Sequence, residues 1–282
     1  MQVSRYAAPD AFAAAVEPFL AAREAEHNLM LGILSNLVHD LASYDGVPLL
    51  ASVSGPAGGV VGAAIRTPPH NLVISEFDDP DAVVRLAAEL ALEPLPGAVG
   101  PPAAVRDFSD ARSAGRGGPW RVVREERIYR LTEVRTPRPA EGAARLAEAS
   151  DRATVGSWLV DFEREALDEH VEAGLLARAL DAWQRGARRF WLWEVDGRPV
   201  SMVGAGGRTP NGVRIGPVYT PPAQRGRGFA SRLTAFVSQA MLDEGRTYCF
   251  LYTDLGNPTA NRIYQGIGYE PVTDALMVSF ES

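Results

Sequence analysis

The spacing of apolar residues predicts the secondary structure of the first half of the chain. Residues 10–25 and 29–38 place apolar side chains at helical intervals, so each stretch is expected to form an amphipathic helix. The apolar stretches 47–53 and 60–65 are separated by a turn rich in glycine, which predicts two paired strands. The other predicted elements of this half are a strand at 72–74, a helix capped at Asp79, a helix at 103–114 and a charged strand at 121–134.

The second half is expected to repeat this order of elements. Its clearest signal is a β-hairpin, in which strands 189–195 and 200–205 are joined by an Asp196-Gly197 turn. A further amphipathic helix is expected to begin at Gly228. The predicted inward face of that helix consists of Leu233, Phe236, Val237 and Met241. The other predicted elements are helices at 140–147, 151–170 and 171–184, strands at 213–218, 248–252 and 275–280, and a helix beginning at Asn257.

A proline-rich connection marks the predicted boundary between the two halves. Two prolines in the segment 136–139 directly follow the long charged strand, and such segments are typical of linkers. A chain of 282 residues is long enough for two domains. We therefore predict one domain at 1–135 and a second at 136–282. The repeat is inferred from the order of the elements, because the residues themselves do not repeat.

Composition and charge restrict the class of protein. The formal net charge of −7 argues against nucleic acid as the main partner and mildly favours a cationic one, although ordinary solubility explains it equally well. The single cysteine, Cys249, rules out an internal disulfide, and its apolar strand predicts a buried thiol. The N-terminal residues do not form a secretory signal, and no apolar run is long enough for a bilayer. We therefore expect a cytoplasmic protein that binds no membrane.

A turn rich in glycine and arginine follows the strand at 213–218 and precedes the helix at Gly228. Backbone N–H groups at a helix start have no partner within the helix, and glycines allow an anion to approach them. Arg225 and Arg227 add positive charge beside Gly226 and Gly228. No lysine follows the glycines, and Ala230 and then Ser231 follow Gly228 where the dinucleotide-binding pattern needs a third glycine, so both common phosphate loops are excluded. The turn is predicted to bind a pyrophosphate; the alternative is that the glycines serve packing alone.

Two motifs in this region resemble those of the GCN5-related N-acetyltransferase (GNAT) superfamily. The segment 225–230 (Arg-Gly-Arg-Gly-Phe-Ala) matches the family's acyl-CoA pattern, Arg/Gln-x-x-Gly-x-Gly/Ala. The second signature is carried by Asn257, Ala260, Tyr264, Gly268 and Tyr269. The resemblance implies an α/β fold with a mixed sheet flanked by helices. It also implies tandem acetyltransferase-like folds whose N-terminal copy is degenerate, because the segment 66–71 carries no glycine.

The resemblance implies specific contacts with acyl-CoA. The central strand of the family splays from its neighbour, so that the pantetheine arm adds to its edge and a backbone N–H polarises the thioester carbonyl. The residues implied in binding are Val218, Tyr219, Thr220, Arg225, Gly226, Arg227, Gly228, Phe229, Ala230 and Asn257. Tyr264 matches the tyrosine that protonates the departing thiolate, although its spacing also suits a core residue. Asn257 is expected to contact the pantetheine arm, to cap a helix, or both.

The acceptor side is predicted on the helix at 151–170. Trp158, Phe162 and Glu165 recur at i, i+4 and i+7 and therefore share one helix face. Two aromatic rings and a carboxylate on one face are suited to hold a cationic amine and take its proton. The alternative for Glu165 is a half-buried carboxylate paired to an arginine. None of the histidines has a metal-ligand neighbour at useful spacing, so no metal site is predicted.

The sequence thus predicts an acetyl-CoA-dependent N-acetyltransferase that moves the acetyl group directly to a primary amine. The expected acceptor is a small molecule or a peptide, and the chain is expected to be a monomer or a homodimer. Two alternatives stay open at this point. One is a non-catalytic module that binds or senses acyl-CoA, and the other is an acyltransferase that uses a longer acyl-CoA.

Overall fold

The computed structural model describes residues 1–40, 44, 46–115, 118–167 and 173–281. The chain divides into two compact units, each assembled from separate segments of sequence. The first unit comprises Met1–Tyr129, Tyr252–Asn257 and Pro271–Ser282, and the second comprises Arg130–Leu251 and Pro258–Glu270. The two units do not test the domain boundary predicted between residues 135 and 136, which stays a prediction.

The described residues form twelve strands and eight α-helices. The strands are β1 (Gln2–Arg5), β2 (Leu49–Ser54), β3 (Val60–Arg66), β4 (Leu72–Ile74), β5 (Gly97–Gly100), β6 (Trp120–Leu131), β7 (Ala143–Leu146), β8 (Arg188–Val195), β9 (Arg198–Arg208), β10 (Gly212–Tyr219), β11 (Tyr248–Asp254) and β12 (Glu270–Phe280). The helices are α1 (Pro9–Ala21), α2 (Asn28–His39), α3 (Pro80–Glu89), α4 (Pro102–Gly115), α5 (Arg152–Phe162), α6 (Ala173–Gln184), α7 (Phe229–Asp243) and α8 (Pro258–Ile267).

In the first unit, the strands lie side by side in the order β1, β2, β3, β4, β5, β12 and β6. The first four are antiparallel to their neighbours, whereas β4 and β5 are parallel. The last strand of the chain, β12, pairs antiparallel with β5 and places Leu276 opposite Gly100. The C-terminal strand therefore completes the sheet of the first unit.

Helices cover both faces of this sheet because successive strand residues point to opposite sides. Leu50 and Ile65 pack against α1 and α2, whereas Ala51 and Ala64 pack against α3 and α4. The apolar residues that predicted α1 and α2 thus form one buried layer. One predicted inward residue is an exception, since Val38 is 38% exposed near the end of α2.

In the second unit, the strands lie in the order β11, β10, β9, β8 and β7. Strands β7 to β10 are antiparallel to their neighbours, and β10 is parallel to β11. The predicted hairpin between β8 and β9 is confirmed. Asp196 and Gly197 at its turn both have positive φ, as a two-residue hairpin turn requires.

The second unit also carries helices on both faces of its sheet. Helices α5 and α6 pack through Leu159 and Trp183 onto Leu192 and Met202. Helix α7 buries Leu233, Val237 and Met241, as predicted. Phe236 is the exception, because 47% of it is exposed. The thiol of Cys249 on β11 is buried, as its apolar strand predicted.

Both units repeat one order of elements. Each begins with an edge strand and two helices, continues with three antiparallel strands and a helix, and then adds a strand parallel to the last. A further helix follows in each case, α4 in the first unit and α8 in the second. The predicted mixed α/β class and the tandem arrangement are therefore confirmed.

The helix predicted at 140–147 is wrong, because residues 143–146 form the edge strand β7. This strand pairs antiparallel with β8, and Arg145 lies opposite Leu192. Arg145 also bridges Asp151 at 2.6 Å and Glu194 at 2.8 Å. Pairing with the sheet overrides the helix preference of the alanines in this segment.

The helix predicted at 151–170 is shorter than expected. Helix α5 ends at Phe162, and a π-helical turn, Glu163–Leu167, continues the chain. The rest of that prediction, and the first residues of the helix predicted at 171–184, lie outside the described residues. Strands β1 and β5 were not predicted. β5 begins and ends in glycine, and the glycines allow a backbone approach that apolar periodicity does not reveal.

Gly268 is required by the fold of the second unit. Its φ is +113°, and a Cβ atom there would lie 2.6 Å from the carbonyl oxygen of Glu133. We expect Gly268→Ala to lower the free energy of unfolding by about 2–4 kcal/mol, from backbone strain and this contact. Urea unfolding of the purified protein measures the change.

Gly266 provides the matched control two residues earlier. It lies in α8, and a Cβ atom there would meet nothing within 4 Å. Gly266→Ala should leave stability unchanged or raise it by up to about 1 kcal/mol, because alanine is the better helix former. Equal destabilisation by the two alanines would contradict this account of Gly268.

Candidate functional site

Strand β10 leaves one side of its second half unpaired by the sheet. The parallel pairing of β10 with β11 begins at Gly212, opposite Tyr248, and ends at Arg214, opposite Phe250. Strand β10 itself continues to Tyr219. On the other side β10 stays paired with β9, with one extra residue between Ile215 and Val218. Such a bulge bends a strand and ends regular pairing. The side of β10 away from β9 therefore offers backbone groups that β11 does not pair.

The end of β10 is held in place by a serine on the neighbouring strand. Ser201 Oγ donates to the carbonyl oxygen of Tyr219 at 3.1 Å and lies 2.8 Å from Thr220 Oγ1. Ser201 is fully buried. This contact was not predicted, because it joins two strands whose register is not visible in the sequence.

The turn after β10 brings the chain back into a helix through two glycines. Gly226 and Gly228 have φ values of +76° and +84°, a conformation that L-residues with side chains rarely adopt. A Cβ atom at Gly226 would meet nothing within 4 Å, and one at Gly228 would meet only Ala140 at 3.8 Å. Close packing does not require these glycines. The backbone conformation does, and it leaves the space above the turn open.

Helix α7 starts at this turn without a capping side chain. The N-cap residue is Gly228, which has no side chain to accept a hydrogen bond from the first turn. The helix dipole adds partial positive charge at the same point. Arg227 adds a full charge; its guanidinium stacks on the Phe229 ring at 4.8 Å and donates to Gln224 at 2.8 Å. The helix start is thus suited to bind an anion.

The corresponding helix of the first unit is capped by its own side chain. Helix α3 also connects two parallel strands, but Asp79 Oδ1 accepts a hydrogen bond of 3.0 Å from the Asp81 N–H. A carboxylate therefore occupies the position that an anion would take. The predicted cap at Asp79 is confirmed, and its charge disfavours phosphate at this helix start.

Tyr264 lies on α8 with its hydroxyl unpaired. Its ring packs edge-on against Tyr269 at 6.1 Å. Tyr269 is buried, and its hydroxyl pairs with Ser238 Oγ at 2.8 Å, whereas the Tyr264 hydroxyl has no hydrogen-bond partner among the described residues. Burial raises the pKa of Tyr264 to about 12, so the phenol stays protonated at neutral pH. Asn257 directly precedes Pro258 at the start of α8 and is exposed.

The acceptor residues predicted on α5 meet the end of β10. Trp158 and Phe162 are partly buried against the cluster that contains Tyr219. The rings of Trp158 and Tyr219 lie 6.2 Å apart. The π-helical turn places Glu165 next to them, and Tyr219 donates a hydrogen bond of 2.9 Å to Glu165 Oε1. The structure thus brings three predicted acceptor residues together with a residue predicted to bind acyl-CoA.

Glu165 is paired to an arginine. This pairing is the alternative that the sequence analysis gave for this residue. Arg225 Nη2 donates to Glu165 Oε2, and Arg225 Nε donates to the Thr220 carbonyl oxygen at 2.9 Å. The Arg225 guanidinium lowers the pKa of Glu165 below its ordinary value. Burial, together with the hydrogen bond to Glu165, raises the pKa of Tyr219 to about 12. Glu165 is therefore ionised and Tyr219 neutral at pH 7.

Residues 152–269 match the family model described as the Acetyltransferase (GNAT) family. This part of the chain is a GNAT domain. The family consists of acetyltransferases, so the domain belongs to a class of enzymes that transfer an acyl group from acyl-CoA. The match contains all the site residues described here, from Trp158 to Tyr264. A comparison with the curated proteins found no match.

Solved structures share the fold over nearly the whole chain, beyond the GNAT domain. A protein from Drosophila melanogaster is 13% identical, with a TM-score of 0.73, and 99% of this chain and 98% of that one are covered. A GCN5-related N-acetyltransferase from Kribbella flavida is 20% identical, with a TM-score of 0.60 and coverage of 93% and 96%. One from Sphaerobacter thermophilus is 16% identical, with a TM-score of 0.60 and coverage of 99% and 95%. At these identities the likeness establishes the fold.

None of the described helices combines the length and the apolar character needed to cross a bilayer. Likewise, the part of the chain that the structure describes holds no group of three or more His, Cys, Asp or Glu side chains placed to hold a metal ion.

The open space at Gly228 provides a direct test of the GNAT domain's helix start. We expect Gly228→Glu to weaken CoA binding at least about tenfold, because a carboxylate would occupy the position of the pyrophosphate. Isothermal titration calorimetry with CoA measures the loss.

Gly245, just beyond the other end of α7, is the control. Its φ is +90°, and a Cβ atom there would also meet nothing within 4 Å. Gly245→Glu therefore carries similar backbone strain but lies away from the turn, so CoA affinity should change by less than about twofold. An equal loss of affinity in both variants would show that strain alone explains the result.

Proposed function

We propose that the protein is an acetyl-CoA-dependent N-acetyltransferase that transfers an acetyl group directly to a primary amine. The observation that carries this proposal is the start of α7. There the acyl-CoA motif of the GNAT domain forms an uncapped helix start behind two glycines of positive φ. A pyrophosphate fits this position because backbone N–H groups, the helix dipole and Arg227 all favour an anion.

The acyl arm is proposed to lie along β10. Val218 and Tyr219 end this strand and Thr220 follows it. The side of β10 away from β9 is not paired with β11 beyond Arg214. Unpaired backbone groups on a strand can bind an extended ligand as another strand would. A backbone N–H here would polarise the thioester carbonyl and stabilise the charge that develops on its oxygen.

Tyr264 is proposed to complete the transfer as the general acid. The unprotonated amine nitrogen attacks the thioester carbon and the carbon–sulfur bond breaks. The nitrogen loses one proton to a base or to water, and the sulfur accepts one from a nearby donor. The Tyr264 phenol is suited to this role because it is neutral and its hydroxyl is not used by any described residue. Asn257, at the start of the same helix, is proposed to contact the pantetheine arm.

The acceptor is proposed to be a cationic amine, either a small molecule or the amine of a peptide. Trp158, Phe162 and Tyr219 provide aromatic surface, and Glu165 provides a negative charge beside it. Aromatic faces and carboxylates together favour ammonium groups. Because its pKa is lowered, Glu165 attracts the charged amine, and it becomes a stronger proton acceptor when Arg225 is not paired with it.

We expect Tyr264→Phe to lower kcat for acetyl transfer by about 10²-fold or more, because the leaving thiolate loses its proton donor. CoA affinity should stay within about twofold of wild type, since the ring and its packing against Tyr269 remain. A panel of primary amines is tested with acetyl-CoA, and the acetylated product is detected by mass spectrometry.

Tyr248 provides a matched control, because its hydroxyl also lacks a hydrogen bond to the described residues and its ring is partly buried on β11. Tyr248→Phe should leave kcat unchanged. Unaltered turnover in Tyr264→Phe would exclude the proposed role of Tyr264. Binding of acetyl-CoA without transfer to any amine would instead favour a module that binds or senses acyl-CoA.

The pH dependence of transfer gives a second test of Tyr264. Because its pKa is raised to about 12, the phenol keeps its proton until the pH approaches that value. We expect kcat to rise between about pH 6 and 10 as the bound amine loses its proton, and then to level off. A fall in kcat below pH 10 that disappears in Tyr264→Phe would contradict this assignment.

A further inference from the structure

Arg225 connects the two sides of the candidate site through three contacts. Its guanidinium donates to Glu165 Oε2, its Nε donates to the Thr220 carbonyl oxygen at 2.9 Å, and its guanidinium carbon lies 5.9 Å from the centre of the Tyr219 ring. Glu165 and Arg225 are 60 positions apart in the sequence, so this pairing depends on the fold. The side chain therefore links the phosphate-binding turn to the acceptor side.

The Arg225 side chain occupies the position proposed for the acceptor's cation. Both oxygens of Glu165 are engaged, Oε1 by the Tyr219 hydroxyl and Oε2 by Arg225. The guanidinium also lies over the aromatic ring beside Trp158. A cationic amine meets the free carboxylate of Glu165 only when Arg225 is elsewhere.

The same side chain belongs to the first residue of the turn proposed to bind the pyrophosphate. Arg225 directly precedes Gly226, and 51% of its side chain is exposed to solvent. An exposed ion pair contributes little, because water screens both charges. A pyrophosphate offers an arginine more negative charge and bidentate hydrogen bonds, which are stronger than a single contact with a carboxylate.

We propose that Arg225 alternates between Glu165 and the pyrophosphate of bound acyl-CoA, so that binding of acyl-CoA exposes Glu165 to the acceptor amine. The inference rests on the proposed function, because it requires CoA to bind at the α7 helix start. It assigns Arg225 as a positioning residue for the acceptor as well as a ligand for the cosubstrate.

Competition between the two positions predicts that removing the carboxylate strengthens CoA binding. In Glu165→Gln, Arg225 no longer has a charged partner, so the Kd for CoA should fall about two- to fivefold, the range that an exposed ion pair supports. In Arg225→Gln the affinity should decrease, and adding Glu165→Gln to that variant should change it no further. The four proteins are compared by isothermal titration calorimetry with CoA.

Asp181→Asn controls for the loss of a negative charge from the second unit. Asp181 forms an exposed ion pair with Arg152 at 2.7 Å, and Arg152 lies outside the phosphate-binding turn. This variant should bind CoA as wild type does. Melting temperatures of all variants are measured in parallel to establish that each is folded.

The outcomes separate this inference from the function on which it rests. Unchanged or weaker CoA binding in Glu165→Gln, with tight binding in wild type, would overturn the alternation of Arg225 and leave the proposed function standing. Tightening that persists in the Arg225→Gln background would also overturn it, since a general charge effect would then be the cause. No CoA binding by wild type would overturn both.

Discussion

The unpaired backbone N–H groups at the start of α7 are the feature on which the rest of the site depends. They are available because Gly226 and Gly228 take positive φ and because the N-cap residue, Gly228, has no side chain to cap the helix. The first unit has the same order of elements, but its corresponding helix, α3, is capped by the carboxylate of Asp79. The chain thus contains two corresponding helix starts. The start of α7 is suited to bind a phosphate, whereas the carboxylate of Asp79 caps the start of α3.

The sheet of the second unit positions the other parts of the site around that helix start. The extra residue in β10 coincides with the end of its pairing with β11, and the buried face of α7 fixes the helix against the sheet. Tyr219 at the end of β10 meets Glu165 and Trp158 from the α5 region. Arg225 then joins Glu165 and Tyr219 to the turn that leads into α7.

Local sequence patterns predicted much of the fold, including the turn at the start of α7. The hairpin turn at Asp196-Gly197, the cap at Asp79 and the start of α7 at Gly228 each depend on a few adjacent residues. Local patterns do not reveal how strands pair in a sheet. Strand β7 is rich in alanine, yet it is extended because it pairs with β8. The pairing of β12 with β5 is likewise not visible in the sequence. The Arg225–Glu165 pair was beyond prediction as a specific contact, because the π-helical turn after α5 has no recognised sequence signature.

The proposed function requires acyl-CoA to bind the folded GNAT domain at the start of α7. The most direct measurement is the melting temperature of the full-length protein at increasing concentrations of acetyl-CoA. A ligand that binds only the folded state raises the melting temperature continuously with its concentration. We expect both acetyl-CoA and CoA to raise the melting temperature in this way. A cooperative melting transition that does not move at any concentration of either ligand would contradict this expectation.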